Sequence, residues 1–388
     1  MVANSTNPMA GEKLIQPEQF MKKAFRLAER NRHLTGYDPA VGCVIVKAGR
    51  VIATGSHREV TTPHAEVIAL KKAGRAARGA DLYINLEPCA HWGNNPPCVE
   101  VIIKSGIKRV FAATGDPNPL VGGKGFRKLK QAGIRVIKGL LQKEARQLNE
   151  AFFKYIRKEV PFVTLKAAAS LDGKIATSSG QSRWISGQSG RRHSHYLRSI
   201  HQAIMVGTGT VIKDNPELTV RLRRVKKQPL RVVLDAVGVI PLEAKVFNRK
   251  APTLLFVSDE YPFSKIGRLK KKGVAVENLP VRKGRFDLGR ILQILGKKRI
   301  ASLLVEGGAN LFGSFVEKNL ADKVIIFLAP VIIGGRHSLA AVAGRDIKFL
   351  KEAYQLKNLS YQKIGRDLVV EGYFVKKPAG LKTSLSKN

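Results

Sequence analysis

The chain has 388 residues, a length that predicts two domains rather than one continuous core. Lys and Arg number 68 against 29 Asp and Glu, giving a formal net charge of +39, and three cysteines are too few for a disulfide framework. No apolar run is long enough to cross a bilayer, since the nearest, Val324 to Ile333, is short and contains Pro330. We therefore expect a cytoplasmic protein with no signal peptide and no membrane contact.

The excess of positive charge has two interpretations. The basic runs Arg221 to Lys227 and Arg268 to Lys272 lack interleaved aromatic residues, so they favour a solvated surface over a specific nucleic-acid site. Weak, salt-sensitive binding to polyanions is still expected.

The N-terminal part alternates helices and strands, which predicts an α/β/α layered domain over residues 16–150. The predicted helices are 17–32, 64–73, 98–105 and 125–132, and the predicted strands are 41–46, 51–55, 82–86, 109–113 and 135–138. The first two strands form a hairpin across residues 47–50.

The segment 141–160 predicts a helix and a linker, and a second α/β domain follows over 151–375. Its strands are predicted near 162–169, 203–206, 230–235, 253–257, 301–305 and 323–328, with an antiparallel pair near the C-terminus.

One group of residue types in the first domain indicates metal chemistry. His64 and Glu66 lie two positions apart at a predicted helix start, and Cys89 and Cys98 flank a loop that leads into the next helix. A helix N-terminus favours a thiolate, and one imidazole with two thiolates suits a zinc site whose fourth position holds water. We predict that His64, Cys89 and Cys98 bind one Zn²⁺ per chain, while Glu66 moves the protons of a hydrolytic deamination. Cys43, inside a predicted buried strand, is interpreted as structural.

Further motifs give the chain a family resemblance. Eight residues separate the two cysteines and end in Pro96-Pro97, and Asp116-Pro117-Asn118-Pro119, Gly122-Gly123-Lys124-Gly125, Leu148-Asn149 and Phe152-Phe153 follow. Over about residues 18–375 the chain resembles the bifunctional deaminase–reductase family of riboflavin biosynthesis. The resemblance implies a cytidine-deaminase-like domain, then a dihydrofolate-reductase-like domain that uses NADPH. It also implies phosphorylated pyrimidine substrates and a homodimer or homotetramer.

Three positions depart from the family pattern in the deaminase half. Asp38 stands where the family usually has Asn, and Asn94 and Asn95 stand where it has a basic residue and Thr. A second interpretation therefore keeps only the reductase active, with a silent or redirected deaminase domain. His57 and His91 match family positions beside the pocket, where they contact substrate or serve structure.

The second domain carries an ordered set of motifs: PFVTLKAAASLDGK from Pro161, SRWISG from Ser182, VGTGT from Val206, DNP from Asp214 and LVEGGANL from Leu304. The last motif runs from strand to helix, where paired glycines let backbone N–H groups approach a phosphate. It lacks the Gly-x-Gly-x-x-Gly fingerprint, so no Rossmann domain is predicted.

By resemblance, Lys166 and Asp214 lie at the reacting centre, either as an acid–base pair or as a structural ion pair. The implied substrate-binding residues are Ser182, Arg198, Leu218, Arg221 and Glu306. The implied cofactor-binding residues are Ala168, Trp184, Thr210, Asp214, Gly308, Ala309, Asn310, Leu311, Phe312, Gly313 and Ser314. Trp184 is interpreted either as a stacking face or as a core residue, and Gln202 replaces a usual Asp.

A third interpretation, a nucleic-acid deaminase, is motivated by the charge alone. The reductase motifs and the eight-residue cysteine spacing both argue against it.

Overall fold

A computed structural model describes residues 17–92, 96–119, 121–223, 225 and 227–376. The chain divides into two compact units, residues 1–149 and 150–388.

The first unit contains a five-stranded sheet in the order β2-β1-β3-β4-β5, in which β1 pairs antiparallel with both neighbours and β3, β4 and β5 run parallel. Its strands are β1 Gly42–Lys47, β2 Arg50–Ser56, β3 Asp81–Ile84, β4 Arg109–Ala112 and β5 Arg135–Lys138. Its helices are α1 Pro17–Asn31, α2 Ala65–Ala73, α3 Cys98–Lys104, α4 Lys124–Gln131 and α5 Gln142–Leu148.

Local sequence explains how α2 is placed on this sheet. Ala48 and Gly49 both have positive φ angles, as a tight hairpin turn between β1 and β2 requires. Gly55 on β2 lies so close to the backbone of Ala65 that a Cβ atom there would overlap the Ala65 carbonyl oxygen. The absence of a side chain at Gly55 therefore lets the first turn of α2 rest directly on the sheet.

The second unit contains a nine-stranded sheet in the order β11-β10-β9-β8-β14-β6-β15-β18-β17. Its strands pair in parallel from β11 to β15, and β15, β18 and β17 pair antiparallel. Two small sheets, β12-β13 and β16-β7, accompany it. The strands of the whole unit are β6 Phe162–Ser170, β7 Lys174–Ala176, β8 Ala203–Gly207, β9 Leu230–Leu234, β10 Thr253–Val257, β11 Ala275–Asn278, β12 Val281–Arg282, β13 Arg285–Phe286, β14 Ser302–Val305, β15 Lys323–Ala329, β16 Leu339–Ala340, β17 Leu356–Ile364 and β18 Asp367–Phe374. Its helices are α6 Glu150–Lys158, α7 Gln188–Ile200, α8 Thr208–Asp214, α9 Phe263–Lys271, α10 Leu288–Lys297 and α11 Ala309–Glu317.

Both faces of this sheet are covered by apolar clusters, as a largely parallel sheet requires. The central strands β8, β14 and β6 are not consecutive in sequence, so the chain crosses over among them. Ligands of open α/β sheets bind beside such a crossover, at the carboxyl ends of the strands. This edge holds Gly207 at the end of β8 and Glu306 directly after β14.

The predicted α/β class is confirmed in both units, and the C-terminal antiparallel pair is present as β17 and β18. The predicted bounds of the larger elements agree with the structure within two residues. Five strands of two to four residues each were not predicted: β7, β11, β12, β13 and β16. Across the described ranges, no helix combines the length and the apolar character that a bilayer span needs.

Candidate active sites

The three predicted metal ligands meet in the first unit. His64 is the N-cap of α2, Cys98 is the first residue of α3, and Cys89 lies in the segment after β3. His64 Nδ1 is 3.1 Å from Cys98 Sγ and 3.5 Å from Cys89 Sγ, and all three donor atoms lie within 4.8 Å of one another. The starts of α2 and α3 therefore bring His64 and Cys98, which are 34 positions apart in sequence, into one group of donor atoms.

This donor group fits a zinc ion. Zn–S bonds of about 2.3 Å and Zn–N bonds of about 2.0 Å give tetrahedral ligand edges of about 3.6 Å, close to the observed separations. A hydrogen bond from the Cys98 thiol lowers the pKa of Cys89 to about 4, and the same bond raises the pKa of Cys98 far above its usual value. A dication held by both sulfur atoms would take the place of the thiol proton.

Glu66 lies in the first turn of α2, two residues after His64, and its side chain is buried. Burial raises the pKa of Glu66, and the nearby His64 opposes that shift. A carboxyl group that is buried beside the metal ligands, and is not one of them, is suited to proton transfer.

Asp38 and His57 are hydrogen-bonded, with His57 Nε2 at 3.2 Å from Asp38 Oδ2. The His57 ring packs edge-on against His64 at 5.4 Å between centroids, which places Asp38 next to the metal group. The Nδ1 atoms of His57 and His91 are buried and have no partner among the described residues. Asn94 and Asn95 lie outside the described residues.

The second site is a cavity of about 1150 Å³ at the carboxyl edge of the larger sheet. Nearly all the predicted reductase residues line it: Lys166, Ala168, Ser182, Trp184, Arg198, Thr210, Asp214, Leu218, Arg221, Glu306, Gly308, Ala309, Asn310, Leu311 and Ser314. Trp184 is 69% exposed, so its interpretation as a core residue was wrong.

Phe312 and Gly313 are not among the residues that line the cavity, and their predicted contact with the cofactor stays a prediction. Phe312 is 1% exposed and belongs to the apolar core, and a Cβ atom at Gly313 would overlap the Ala343 carbonyl oxygen. The reason is helical periodicity: α11 turns these two positions away from the face that carries Leu311 and Ser314.

Lys166 and Asp214 both line the cavity, but the charged neighbours of Lys166 are Glu306 and Arg198. Burial lowers the pKa of Lys166, with Glu306 opposing that shift. Asp214 accepts a hydrogen bond from Ser182 Oγ at 3.2 Å. No ion pair joins Lys166 and Asp214 in the structure, so the structural ion-pair alternative is wrong, whereas their acid–base role stays a prediction.

The Arg198 guanidinium is occupied by protein groups. Its Nε and Nη2 donate to the two Glu306 oxygens at 2.8 and 2.7 Å, and its Nη1 donates to the Thr219 carbonyl at 3.2 Å. Burial alone would raise the pKa of Glu306, but the Arg198 charge outweighs it and lowers that pKa to about 2. Arg198 therefore fixes an ionised Glu306 in the cavity wall.

Replacing Arg198 by Met is expected to destabilise the second unit by about 3–5 kcal/mol, since the Glu306 carboxylate is left buried without its partner. The pair's contribution is complete above pH 4.5 and is lost as the pH falls toward 2, because the folded pKa lies below the ordinary value. Urea unfolding of the two variants Arg198→Met and Arg192→Met tests this, with exposed Arg192 on the same helix as the control. Equal midpoints at pH 7 would contradict it.

Some cavity residues were missed by sequence reasoning. Arg191 stacks over the Trp184 ring at 4.6 Å, and His195, Lys318 and the segment 339–343 also line the cavity. His195 precedes Arg198 by three positions on α7, so helical spacing from a predicted substrate residue would have indicated it.

Comparison with known proteins places both sites in a family. Residues 14–114 match the cytidine and deoxycytidylate deaminase zinc-binding region, and residues 161–370 match the RibD C-terminal domain. The chain is 45% identical over 354 residues to the riboflavin biosynthesis protein RibD of Aquifex aeolicus (strain VF5), covering 91% of this chain and 97% of that one.

Solved structures agree. Acinetobacter baumannii RibD, form 1, has a TM-score of 0.82 at 37% identity, covering 92% of this chain and 98% of that chain. A diaminohydroxyphosphoribosylaminopyrimidine deaminase/5-amino-6-(5-phosphoribosylamino)uracil reductase from Thermotoga maritima has a TM-score of 0.79 at 38% identity, covering 92% of this chain and 98% of that chain.

The two folds and their sites define a zinc-dependent deaminase joined to an NADPH-dependent reductase. The chain belongs to the RibD family of riboflavin biosynthesis proteins. It is a bifunctional enzyme, and the reductase-only interpretation is not favoured, because the matches extend through both halves.

Proposed function

We propose that the chain deaminates 2,5-diamino-6-(5-phosphoribosylamino)pyrimidin-4-one and then reduces the ribosyl side chain of 5-amino-6-(5-phosphoribosylamino)uracil to ribityl. The observation that carries this proposal is the meeting of His64, Cys89 and Cys98 beside the buried Glu66, in a chain that also holds the large cavity. The similarity to the Thermotoga maritima protein, whose name gives both activities, supports the order of the two steps.

In the deaminase unit, His64, Cys89 and Cys98 hold the metal. Zinc bound there supplies the Lewis acidity that makes water a nucleophile near neutral pH. Glu66 takes a proton from the attacking water and delivers it to the departing amine, which leaves as ammonia. The Asp38–His57 pair forms part of the wall beside this group and supplies a carboxylate that accepts N–H donors of the pyrimidine.

In the reductase unit, the cavity residues would hold NADPH, which when bound would be the source of the hydride that C1 of the ribosyl group accepts. Lys166 donates a proton to the ribose ring oxygen as the bond from C1 to that oxygen opens, and its lowered pKa eases this transfer. Glu306, held ionised by Arg198, accepts N–H donors of the pyrimidine. Asp214 and Ser182 position the reacting end of the substrate.

A coupled assay on the purified chain tests both steps. It starts from the diaminopyrimidinone ribosyl phosphate, follows ammonia release and NADPH oxidation, and identifies the product by mass. Ammonia release with NADPH loss supports the proposal. NADPH loss only when deaminated substrate is supplied would contradict the deaminase half and leave the reductase half standing.

Purified protein is expected to contain about one zinc per chain, because one set of three ligands is present among the described residues. Cys98→Ser should lose most of this zinc. Cys43→Ala should keep it, since Cys43 is fully buried in β1 and burial raises its thiol pKa well above the usual value. Metal analysis of the three proteins checks the result, and equal zinc in wild type and Cys98→Ser would contradict the ligand set.

A cytoplasmic location and a homodimer or homotetramer complete the proposal. The three free cysteines, two of them in the metal group, suit a reducing compartment. An oligomer is supported by the outer strand β17, where Leu359 and Tyr361 are 63% and 80% exposed. It remains a prediction that the basic runs form a solvated surface.

A further inference from the structure

His195 lines the reductase cavity from α7, and no step proposed above uses it. Its Nδ1 accepts a hydrogen bond from the Arg221 backbone N–H at 3.3 Å. One turn along the helix, Arg198 donates to the Thr219 carbonyl. Positions three apart share one helix face, so α7 holds the chain at two backbone groups, residues 219 and 221. This segment presents the Arg221 side chain to the cavity.

The hydrogen bond selects a tautomer of the neutral ring. Acceptance from the Arg221 N–H favours the form with its proton on Nε2 over the form whose Nδ1–H would donate to the Thr219 carbonyl. Burial lowers the pKa of His195 to about 4, helped by the guanidinium groups of Arg198 and Arg221 and opposed by Glu306 and the Thr219 carbonyl. At neutral pH the imidazole is therefore an uncharged N–H donor.

The charges around His195 favour an anion. Arg198 is neutralised by its two hydrogen bonds to Glu306. Arg221 is 60% exposed, and its nearest carboxylate oxygen, on Glu217, is 3.9 Å away, so most of its charge is available to a ligand. A neutral donor beside a free guanidinium matches a phosphate, because it adds a hydrogen bond without repelling the arginine.

We propose that His195 is a substrate-binding residue whose Nε2–H donates to the phosphate of the phosphoribosyl group, next to Arg221. The inference rests on the proposed function, which places a phosphorylated pyrimidine in this cavity. It adds a second role for the residue, since Nδ1 positions the Arg221 backbone.

Two variants separate these roles. His195→Asn keeps an oxygen where Nδ1 accepts from Arg221 but lacks the distal donor, whereas His195→Gln restores a donor near the position of Nε2. His193→Asn is the matched control. His193 lies on the same helix, packs against Tyr196 and Phe327, and is not part of the cavity wall.

The probes are ribose 5-phosphate and ribose, titrated into the full chain by calorimetry, with NADPH affinity and thermal melting as checks of folding. His195→Asn is expected to weaken ribose 5-phosphate binding about ten- to a hundredfold, because one hydrogen bond to a charged group is lost. The affinities for ribose and for NADPH should stay unchanged. His195→Gln should recover part of the affinity, and His193→Asn should match the wild type.

Unchanged ribose 5-phosphate affinity in His195→Asn would overturn the inference, and so would an equal loss for ribose, which indicates a structural role. If the wild-type chain binds NADPH but not ribose 5-phosphate, the proposed occupant of the cavity is wrong and the inference falls with it. If the wild-type chain binds both NADPH and ribose 5-phosphate and His195→Asn binds them with the same affinities, only the proposed role of His195 is overturned.

Discussion

Glu66→Gln is expected to lower the deaminase kcat by about 10²–10⁴, because the amide has the size of the carboxyl group and cannot carry the proton from water to the leaving amine. Zinc content should stay at the wild-type value, since the donor group consists of His64, Cys89 and Cys98. The reductase kcat on deaminated substrate should also be unchanged. Ammonia release, zinc analysis and NADPH oxidation measured on the same preparation give these three results.

The matched control is Glu59→Gln, the same chemical change at an exposed position in the loop before α2. It should keep both activities. Loss of zinc together with deamination in Glu66→Gln would show that the carboxyl group serves metal binding rather than proton transfer. Deamination within a few-fold of wild type would show that another group moves the protons.

The metal group could be predicted from sequence because its information is local. His64 and Cys98 stand at helix starts, and one imidazole with two thiols has few other uses in a chain with three cysteines. What the pattern did not contain was the hydrogen bond between Asp38 and His57. It depends on how the segment before β1 meets the segment after β2, which no periodicity encodes.

The residues of the reductase cavity could be predicted only from the family resemblance. Its reacting residues come from β6, α7 and the end of β14, and they meet because the sheet order is β8-β14-β6. Arg198 and Glu306 are 108 positions apart, so neither spacing nor propensity could pair them. The same limit explains why the ion-pair alternative for Lys166 and Asp214 was wrong. In α11, Phe312 and Gly313 lie off the face that carries Leu311 and Ser314, which helical periodicity explains.

Lys166→Met is expected to lower the reductase kcat by about 10²–10⁴ while NADPH affinity and deamination stay unchanged, because methionine fills a similar volume and has no proton to donate. Lys166 is held above the Phe327 ring, with its ammonium 5.1 Å from the ring centroid, and its nearest countercharge is Glu306. The control is Lys213→Met, which removes another cavity-lining but exposed ammonium. Single-turnover NADPH oxidation on deaminated substrate measures the chemical step apart from binding.

A pH profile decides whether Lys166 acts as an acid or only balances the charge of Glu306. An acid must be protonated, so the wild-type kcat should fall as the pH rises through the pKa of Lys166, which burial moves below 10.5. Lys166→Arg keeps the positive charge beside Glu306 but holds its proton at every accessible pH. The Lys166→Arg variant should therefore lose most of the wild-type kcat, and its kcat should no longer fall as the pH rises. Wild-type kcat and an unchanged alkaline limb in Lys166→Arg would mean that the charge alone is needed, and that the proton reaches the ribose oxygen from another group in the cavity.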